Sequence, residues 1–126
     1  MLAIRTDDKE AEISGTADDL RKIRVGVVSL LSSTENSASF KTAPSDPAPY
    51  PRALSELIVQ RALGLTLVTV TQTALVVVGS DDSLARFSSW FNLPAEAQAG
   101  NHMHFEPMPD DAYHSSESVP LVIAID

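Results

Sequence analysis

The feature that most constrains the fold of this chain is a sequence pattern that occurs twice, 64 residues apart. The stretches ISGTADDLRKI (13–23) and VVGSDDSLARF (77–87) share a glycine, a hydroxyl residue, acidic residues and apolar residues in the same order. Ser or Thr at a helix N-cap accepts a hydrogen bond from a free backbone amide, and acidic residues in the first turn suit the positive end of the helix dipole. The pattern therefore predicts, in each half, a strand that leads through a glycine into a helix.

The match extends on both sides of these two helix starts. Upstream, each half has two short apolar runs around a polar turn, TDDK in the first half and TQT in the second, as in a β-hairpin. Downstream, LIV (57–59) and LVI (121–123) match at the same offset. We therefore predict an α+β protein of two duplicated strand-strand-helix-strand-strand units, 1–63 and 64–126. The units share one globular domain and pack as a pseudo-dimer with mostly antiparallel sheet.

The duplication decides one ambiguous segment. By itself, ALSELIVQRAL (53–63) has the apolar spacing of an amphipathic helix, but its counterpart SVPLVIAID (118–126) contains a proline and β-branched residues that are typical of a strand. We therefore predict a strand at 56–61, between helices at about 17–31 and 81–92. The proline-rich stretch 43–51 is expected to be an extended loop, and each unit is expected to form its own small sheet.

The charge of the chain is concentrated in its second half. Residues 1–63 contain nine acidic and eight basic residues, whereas residues 64–126 contain eight acidic residues and one basic residue, Arg86, giving −1 and −7. Nucleic-acid binding needs cations against phosphate, so no nucleic-acid partner is expected. An acidic surface attracts basic proteins, although the same charge can serve solubility alone. The absence of cysteine and of any apolar run near the ~20 residues of a membrane span fits a cytoplasmic protein without a membrane partner.

The stretch HMHFEP (102–107) is a candidate metal site. Alternate residues of a strand share a face, so His102, His104 and Glu106 are expected to point one way and the apolar residues between them the other way. Two imidazoles and a carboxylate can bind zinc or iron, which would make the chain a small metal-dependent hydrolase. The matching stretch of the first unit, SASFK (37–41), lacks these ligands. We therefore favour a polar strand that faces a partner, with no metal or other cofactor and no catalytic residues.

The loop DAYHSSES (111–118) is a candidate recognition loop because it combines acidic residues with an aromatic residue. A solvated loop without a binding role is the alternative. An exposed tyrosine can anchor a protein interface, and flanking acids can attract a basic partner. The predicted partner-binding residues are His104, Glu106, Asp110, Asp111, Tyr113 and Glu117.

The second unit resembles the bacterial immunity proteins of family thirty-two from polymorphic-toxin systems. The resemblance rests on LVVVGSDDSLARFSSWF, HMHFEP and SSESVPLVIAID and covers residues 65–126. The first unit follows the same plan more loosely and lacks both histidines. The resemblance implies a small α+β protein, a monomer or homodimer, that neutralises a protein toxin by direct binding and occlusion, without catalysis. A self-associating module of unknown partner is a further alternative beside the metal-dependent hydrolase.

Overall fold

The computed structural model describes residues 1–43 and 46–126, so Pro44 and Ser45 of the expected loop at 43–51 lie outside the described residues. Within them, two helices are set among nine strands that form mostly antiparallel sheets, an α+β fold that confirms the predicted class. The elements are β1 (Ala3–Thr6), β2 (Ala11–Gly15), α1 (Ala17–Leu31), β3 (Ser37–Lys41), β4 (Arg52–Leu54), β5 (Glu56–Arg61), β6 (Leu67–Val70), β7 (Ala74–Gly79), α2 (Asp81–Ser89), β8 (His102–Phe105) and β9 (Leu121–Ile125). None of the helices in this described part is long and apolar enough to cross a membrane.

The strands form two sheets, and each sheet draws on both halves of the chain. The first has the order β4-β1-β2-β9-β8 and the second has the order β3-β5-β7-β6. The pairs β2–β9 and β5–β7 are parallel, and the other pairs are antiparallel, as the mostly antiparallel prediction requires. In the first sheet, the hairpin β1–β2 of the first half pairs with β9 and β8 of the second half, and in the second sheet the hairpin β6–β7 of the second half pairs with β5 and β3 of the first half.

The expectation that each unit forms its own sheet is therefore wrong. The physical reason lies in the apolar strands β7 and β9, which contain the runs LVVV and LVI. Pairing across the halves gives both of these strands a neighbour on each side, with β7 between β5 and β6 and β9 between β2 and β8. Strands that are apolar on both faces favour such central positions. Apart from the extra strand β4, the two sheets have the same order of strands when each strand is numbered within its half; the duplication itself stays a prediction.

The predicted element boundaries are confirmed in two places and corrected in one. The strand at 56–61 and the helix at 17–31 lie where the repeat places them. The second helix ends at Ser89 rather than at residue 92. Beyond it the turns tighten, because the amides of Trp90, Phe91 and Asn92 donate to the carbonyls three residues earlier, at 3.1, 3.0 and 3.2 Å. Such bonds are common where a helix ends.

The two helix starts follow the predicted capping chemistry. Thr16 accepts from the amide of Asp19, whose carboxylate accepts in turn from the Thr16 amide, and Ser80 accepts from the amide of Ser83. At the second start the chain approaches β6 closely. A Cβ on Gly79 would lie 2.6 Å from the hydroxyl oxygen of Thr66 and 2.9 Å from its Cα, so a side chain there would force the backbone apart.

The apolar stripes of both helices pack into a single core with strands of both sheets, as predicted. The buried residues of these stripes are Leu20, Ile23, Val27 and Leu30 on α1 and Leu84 and Phe87 on α2. The tight turns after α2 carry Trp90 to the border of this core, beside β8. The end of α2 thereby determines the shape of the surface between β8 and the segment that follows it.

Candidate binding cleft

Trp90 lies between two other aromatic rings at the end of α2. Its ring is stacked on Phe105 of β8, with centroids 4.0 Å apart, and on His114, with centroids 4.5 Å apart. Aromatic contacts of this kind contribute about 0.5–1.5 kcal/mol each beyond the area that they bury. Since the three rings come from α2, β8 and the segment 106–119, the stack fixes these parts of the chain to one another.

The segment 106–119 has a defined backbone because its polar groups bind one another and Thr66, the residue before β6. The Asp111 carboxylate accepts from the amides of Tyr113 at 2.7 Å and His114 at 3.0 Å. The amide of Thr66 donates to the Tyr113 carbonyl at 2.8 Å, and the amide of Ser115 donates to the Thr66 carbonyl at 2.8 Å. Hydrogen bonds from the backbone, that of Tyr113 above all, hold the pKa of Asp111 below its usual range, so this carboxylate is charged at pH 7.

His114 is a buried polar residue in this segment. It is 5% exposed, its Nδ1 lies 3.3 Å from an Asp111 oxygen, and its buried Nε2 has no hydrogen-bond partner within residues 1–43 and 46–126. Burial lowers the pKa of the imidazole, and the neighbouring Asp111 carboxylate opposes that effect only in part. The ring is therefore neutral at pH 7. We assign its proton to Nδ1, facing Asp111, which leaves Nε2 as an acceptor.

An open cleft of about 510 Å³ lies beside these groups. It is lined by Arg86, Trp90, His104, Phe105, Glu106, Asp111, Ala112, Tyr113 and His114. His104 and Phe105 point to opposite faces of β8, one exposed and one partly buried. A cleft that touches both lies at the rim of the sheet, where the edge strand β8 ends, rather than over one face of the sheet. A second cavity of about 20 Å³, which is room for about one water-sized group, shares Trp90, Phe105 and His114 with the cleft.

The structure brings four of the six predicted partner-binding residues together. His104, Glu106, Asp111 and Tyr113 line the cleft. Asp110 and Glu117 are exposed in the same segment but are not part of the lining.

Sequence reasoning does not find Arg86, Trp90 and His114 as lining residues. The Arg86 guanidinium lies 5.1 Å from the centre of the Tyr113 ring, so the only basic residue of the second half reaches the predicted anchor. Its position as the only Lys or Arg in an acidic half was the one feature of the sequence that could have indicated a role for Arg86. In the sequence, Trp90 lies beside the apolar stripe of a predicted helix, so nothing there indicates that it lines a cleft.

The three residues of the candidate metal site do not form one site. His102 and His104 point outward from β8 as predicted, with ring centroids 5.1 Å apart. Glu106 lines the cleft, whereas His102 lines a separate groove on the outer face of the first sheet. In the part of the chain that the structure describes, no group of three or more His, Asp or Glu side chains stands where it could hold a metal ion.

The charged and polar residues near this groove hold parts of the fold together. Arg5 forms a partly buried ion pair with Glu12 and donates to the Ala48 carbonyl at 2.6 Å. The Tyr50 hydroxyl donates to Glu10 at 2.9 Å, and burial together with this carboxylate raises the pKa of Tyr50 to about 12. These contacts attach the segment before β4 to the face of β1 and β2.

No protein-family model, curated protein or solved structure matches the chain. The fold and the site define an α+β protein with an acidic, aromatic-lined cleft at the edge of a sheet.

The stability of the protein is expected to fall as the pH falls below about 6.5, because of His114. The unfolded chain binds a proton at the ordinary histidine pKa of 6.5, whereas the folded protein binds it only at a lower pH. Below 6.5 the unfolded state therefore holds more protons, and the free energy of unfolding decreases by up to about 1.4 kcal/mol per pH unit until the lowered pKa is passed. Urea unfolding from pH 7.5 to 5 measures this slope.

The variant His114→Phe keeps a flat ring against Trp90 and should lose that part of the slope. His102→Gln, at an exposed position of β8, is the matched control and should keep it. Equal slopes in the wild type and in His114→Phe would show that His114 does not titrate between folded and unfolded states in this range.

Proposed function

We propose that this chain is a bacterial immunity protein that acts in the cytoplasm by binding a protein toxin and covering its active surface, without catalysis. The resemblance of residues 65–126 to immunity proteins of family thirty-two motivates the proposal. The observation that carries it is the convergence of His104, Glu106, Asp111 and Tyr113 on one open cleft. Two aromatic residues of its lining, Trp90 and Tyr113, are of the types that are enriched at the hot spots of protein interfaces.

The charge around the cleft favours a partner with a basic surface. Residues 101–117 contain four acidic residues, Glu106, Asp110, Asp111 and Glu117, and no Lys or Arg. Complementary charge mainly accelerates encounter, by ~10-fold to ~10³-fold at low salt, and the effect is screened as salt rises. Tight binding also needs a buried anchor. Tyr113, 39% exposed and backed by Arg86, has the position and chemistry for that role.

The test requires a candidate toxin, for which a gene encoding a large secreted protein next to the gene of this chain is the first choice. The variant Asp110→Lys/Glu117→Lys should slow association by about tenfold or more at low salt and much less at high salt. Asp111 is left intact because its carboxylate holds the backbone of the loop. The control Asp82→Lys/Glu96→Lys makes the same change of charge at exposed positions outside the cleft lining and should associate at the wild-type rate.

The anchor is tested separately through dissociation. Tyr113→Ala should raise the dissociation rate by about tenfold or more, with little change in association. Equal effects of the Asp110/Glu117 and control charge reversals would mean that the acidic charge of the segment beside the cleft serves solubility rather than recognition. A chain that binds no neighbouring toxin and instead forms stable oligomers in sedimentation experiments would favour the self-associating module.

A further inference from the structure

The strand β8 has a free edge directly beside the cleft. It is the end strand of the first sheet and pairs with β9 in the register His102 to Ala124 and Phe105 to Leu121. Two hydrogen bonds next to this ladder show that the backbone groups of Ile125 face β8. The Ile125 amide donates to the Asn101 carbonyl, and the Gly100 amide donates to the Ile125 carbonyl. Because backbone groups alternate along a strand, those of Met103 and Phe105 point to β9, and those of His102 and His104 point outward.

The lining of the cleft contains hydrogen-bond acceptors. Glu106 and Asp111 contribute carboxylates, and His114, buried and neutral, contributes an Nε2 with no partner in the described residues. The aromatic face of Tyr113 also attracts cations, as the Arg86 guanidinium 5.1 Å from the centre of its ring shows. A group that donates several hydrogen bonds and carries positive charge fits this set of acceptors.

We propose that an extended segment of the partner protein adds to the edge of β8 as a further strand and inserts a Lys or Arg side chain into the cleft toward Glu106, Asp111 and His114. This inference rests on the proposed function and specifies how the partner is recognised. Strand addition takes its affinity from backbone hydrogen bonds and its specificity from pockets for alternate side chains. The outward backbone groups of His102 and His104 would form the backbone hydrogen bonds, and the cleft would be the pocket for a side chain.

The opposite sheet contains a matched edge that lacks the cleft. Strand β3 ends the second sheet, and its Ser39 stands where the repeat places His104. On this strand the side chains of Ser39 and Lys41 are both bound to Glu56, at 2.6 and 2.8 Å. The edge of β3 is therefore a control for the edge of β8 within the same protein.

The experiment uses a phage library of randomised heptapeptides selected on the full-length chain. The selected peptides are then synthesised and titrated into the isotope-labelled protein by NMR. We expect enrichment of peptides with Lys or Arg among β-branched residues. We also expect amide shifts confined to residues 102–106 and 111–114. Failure to enrich such peptides, or shifts centred on β3, would overturn the proposal.

Proline variants separate backbone pairing from side-chain contact. His104→Pro removes an outward amide that β9 does not use, whereas His104→Ala removes the same side chain and keeps the amide, so the proline variant should bind the peptides at least about tenfold more weakly than the alanine variant. Ser39→Pro, on the control edge, should leave binding unchanged. Circular dichroism establishes that each variant is folded. Should His104→Pro fold and bind as well as His104→Ala, strand addition would be excluded.

These outcomes also distinguish this inference from the proposed function. A toxin that binds tightly without shifts along β8 would keep the immunity function and reject strand addition. Peptides that bind along β8 of a chain that binds no neighbouring toxin would keep strand addition and reject the immunity function.

Discussion

Cut between Leu63 and Gly64, the chain is expected to give two fragments that are unfolded as monomers and that form one folded 1:1 complex when they are mixed. The reason is the distribution of strands. In fragment 1–63, the strand β2 loses its parallel neighbour β9. In fragment 64–126, the strand β7 loses its parallel neighbour β5. A fragment alone keeps only two or three strands of each sheet and exposes the core that the two helices share. Domains of about 60 residues are marginal even with a complete core.

The position of the cut is favourable for such a test. Leu63 is 99% exposed, and Gly64 has a φ of +103°, so the connection between β5 and β6 is an exposed turn. Far-ultraviolet circular dichroism and analytical ultracentrifugation of each fragment and of the mixture give the result. A cut within α1, between Val25 and Gly26, is the control, because it breaks a helix rather than a turn and should not complement. Either fragment folding as a stable monomer would contradict the arrangement of the sheets.

The exchange of strands between the halves was beyond the reach of sequence patterns. The strand at 56–61 was predicted because its counterpart at 121–125 contains β-branched residues, and burial along both strands agrees with that reading. Periodicity reports which residues are buried and in what local conformation. It does not report the partner of a strand. Pairing of β2 with β9 joins residues more than a hundred positions apart, and that choice depends on the packing of the entire core.

The candidate site was predicted in part for a similar reason. Asp111 and Tyr113 could be found because acidic and aromatic residues in one loop are visible in the sequence, and His104 and Glu106 because polar residues alternate with apolar ones along one strand. The stack of Trp90 on Phe105 and His114 could not be predicted, because it forms only when three separate segments of the chain come together in the fold. The metal hypothesis treated His102, His104 and Glu106 as one group on the strength of spacing alone. In the folded chain, the end of β8 places Glu106 in the cleft and His102 in another groove.

The stack also predicts the mutation with the largest effect near the cleft. Trp90→Ala removes the ring that lies against Phe87, Phe105 and His114, and should lower the free energy of unfolding by about 3 kcal/mol or more. It should also open the buried side of His114 to water and so remove the cause of its lowered pKa. The decrease in stability between pH 7 and pH 5 should therefore become smaller than in the wild type.

Two variants isolate the role of the ring. Trp90→Phe keeps an aromatic face in the stack and should cost about half as much as alanine, whereas Tyr113→Ala removes an exposed ring from the same cleft and should cost within about 0.5 kcal/mol. Since Trp90 is the only tryptophan, unfolding of all four proteins must be followed by circular dichroism rather than by its fluorescence. If Trp90→Ala is no less stable than Tyr113→Ala, the stack does not hold α2, β8 and the loop together. The cleft would then have to be maintained by the backbone bonds of Asp111 and Thr66 alone.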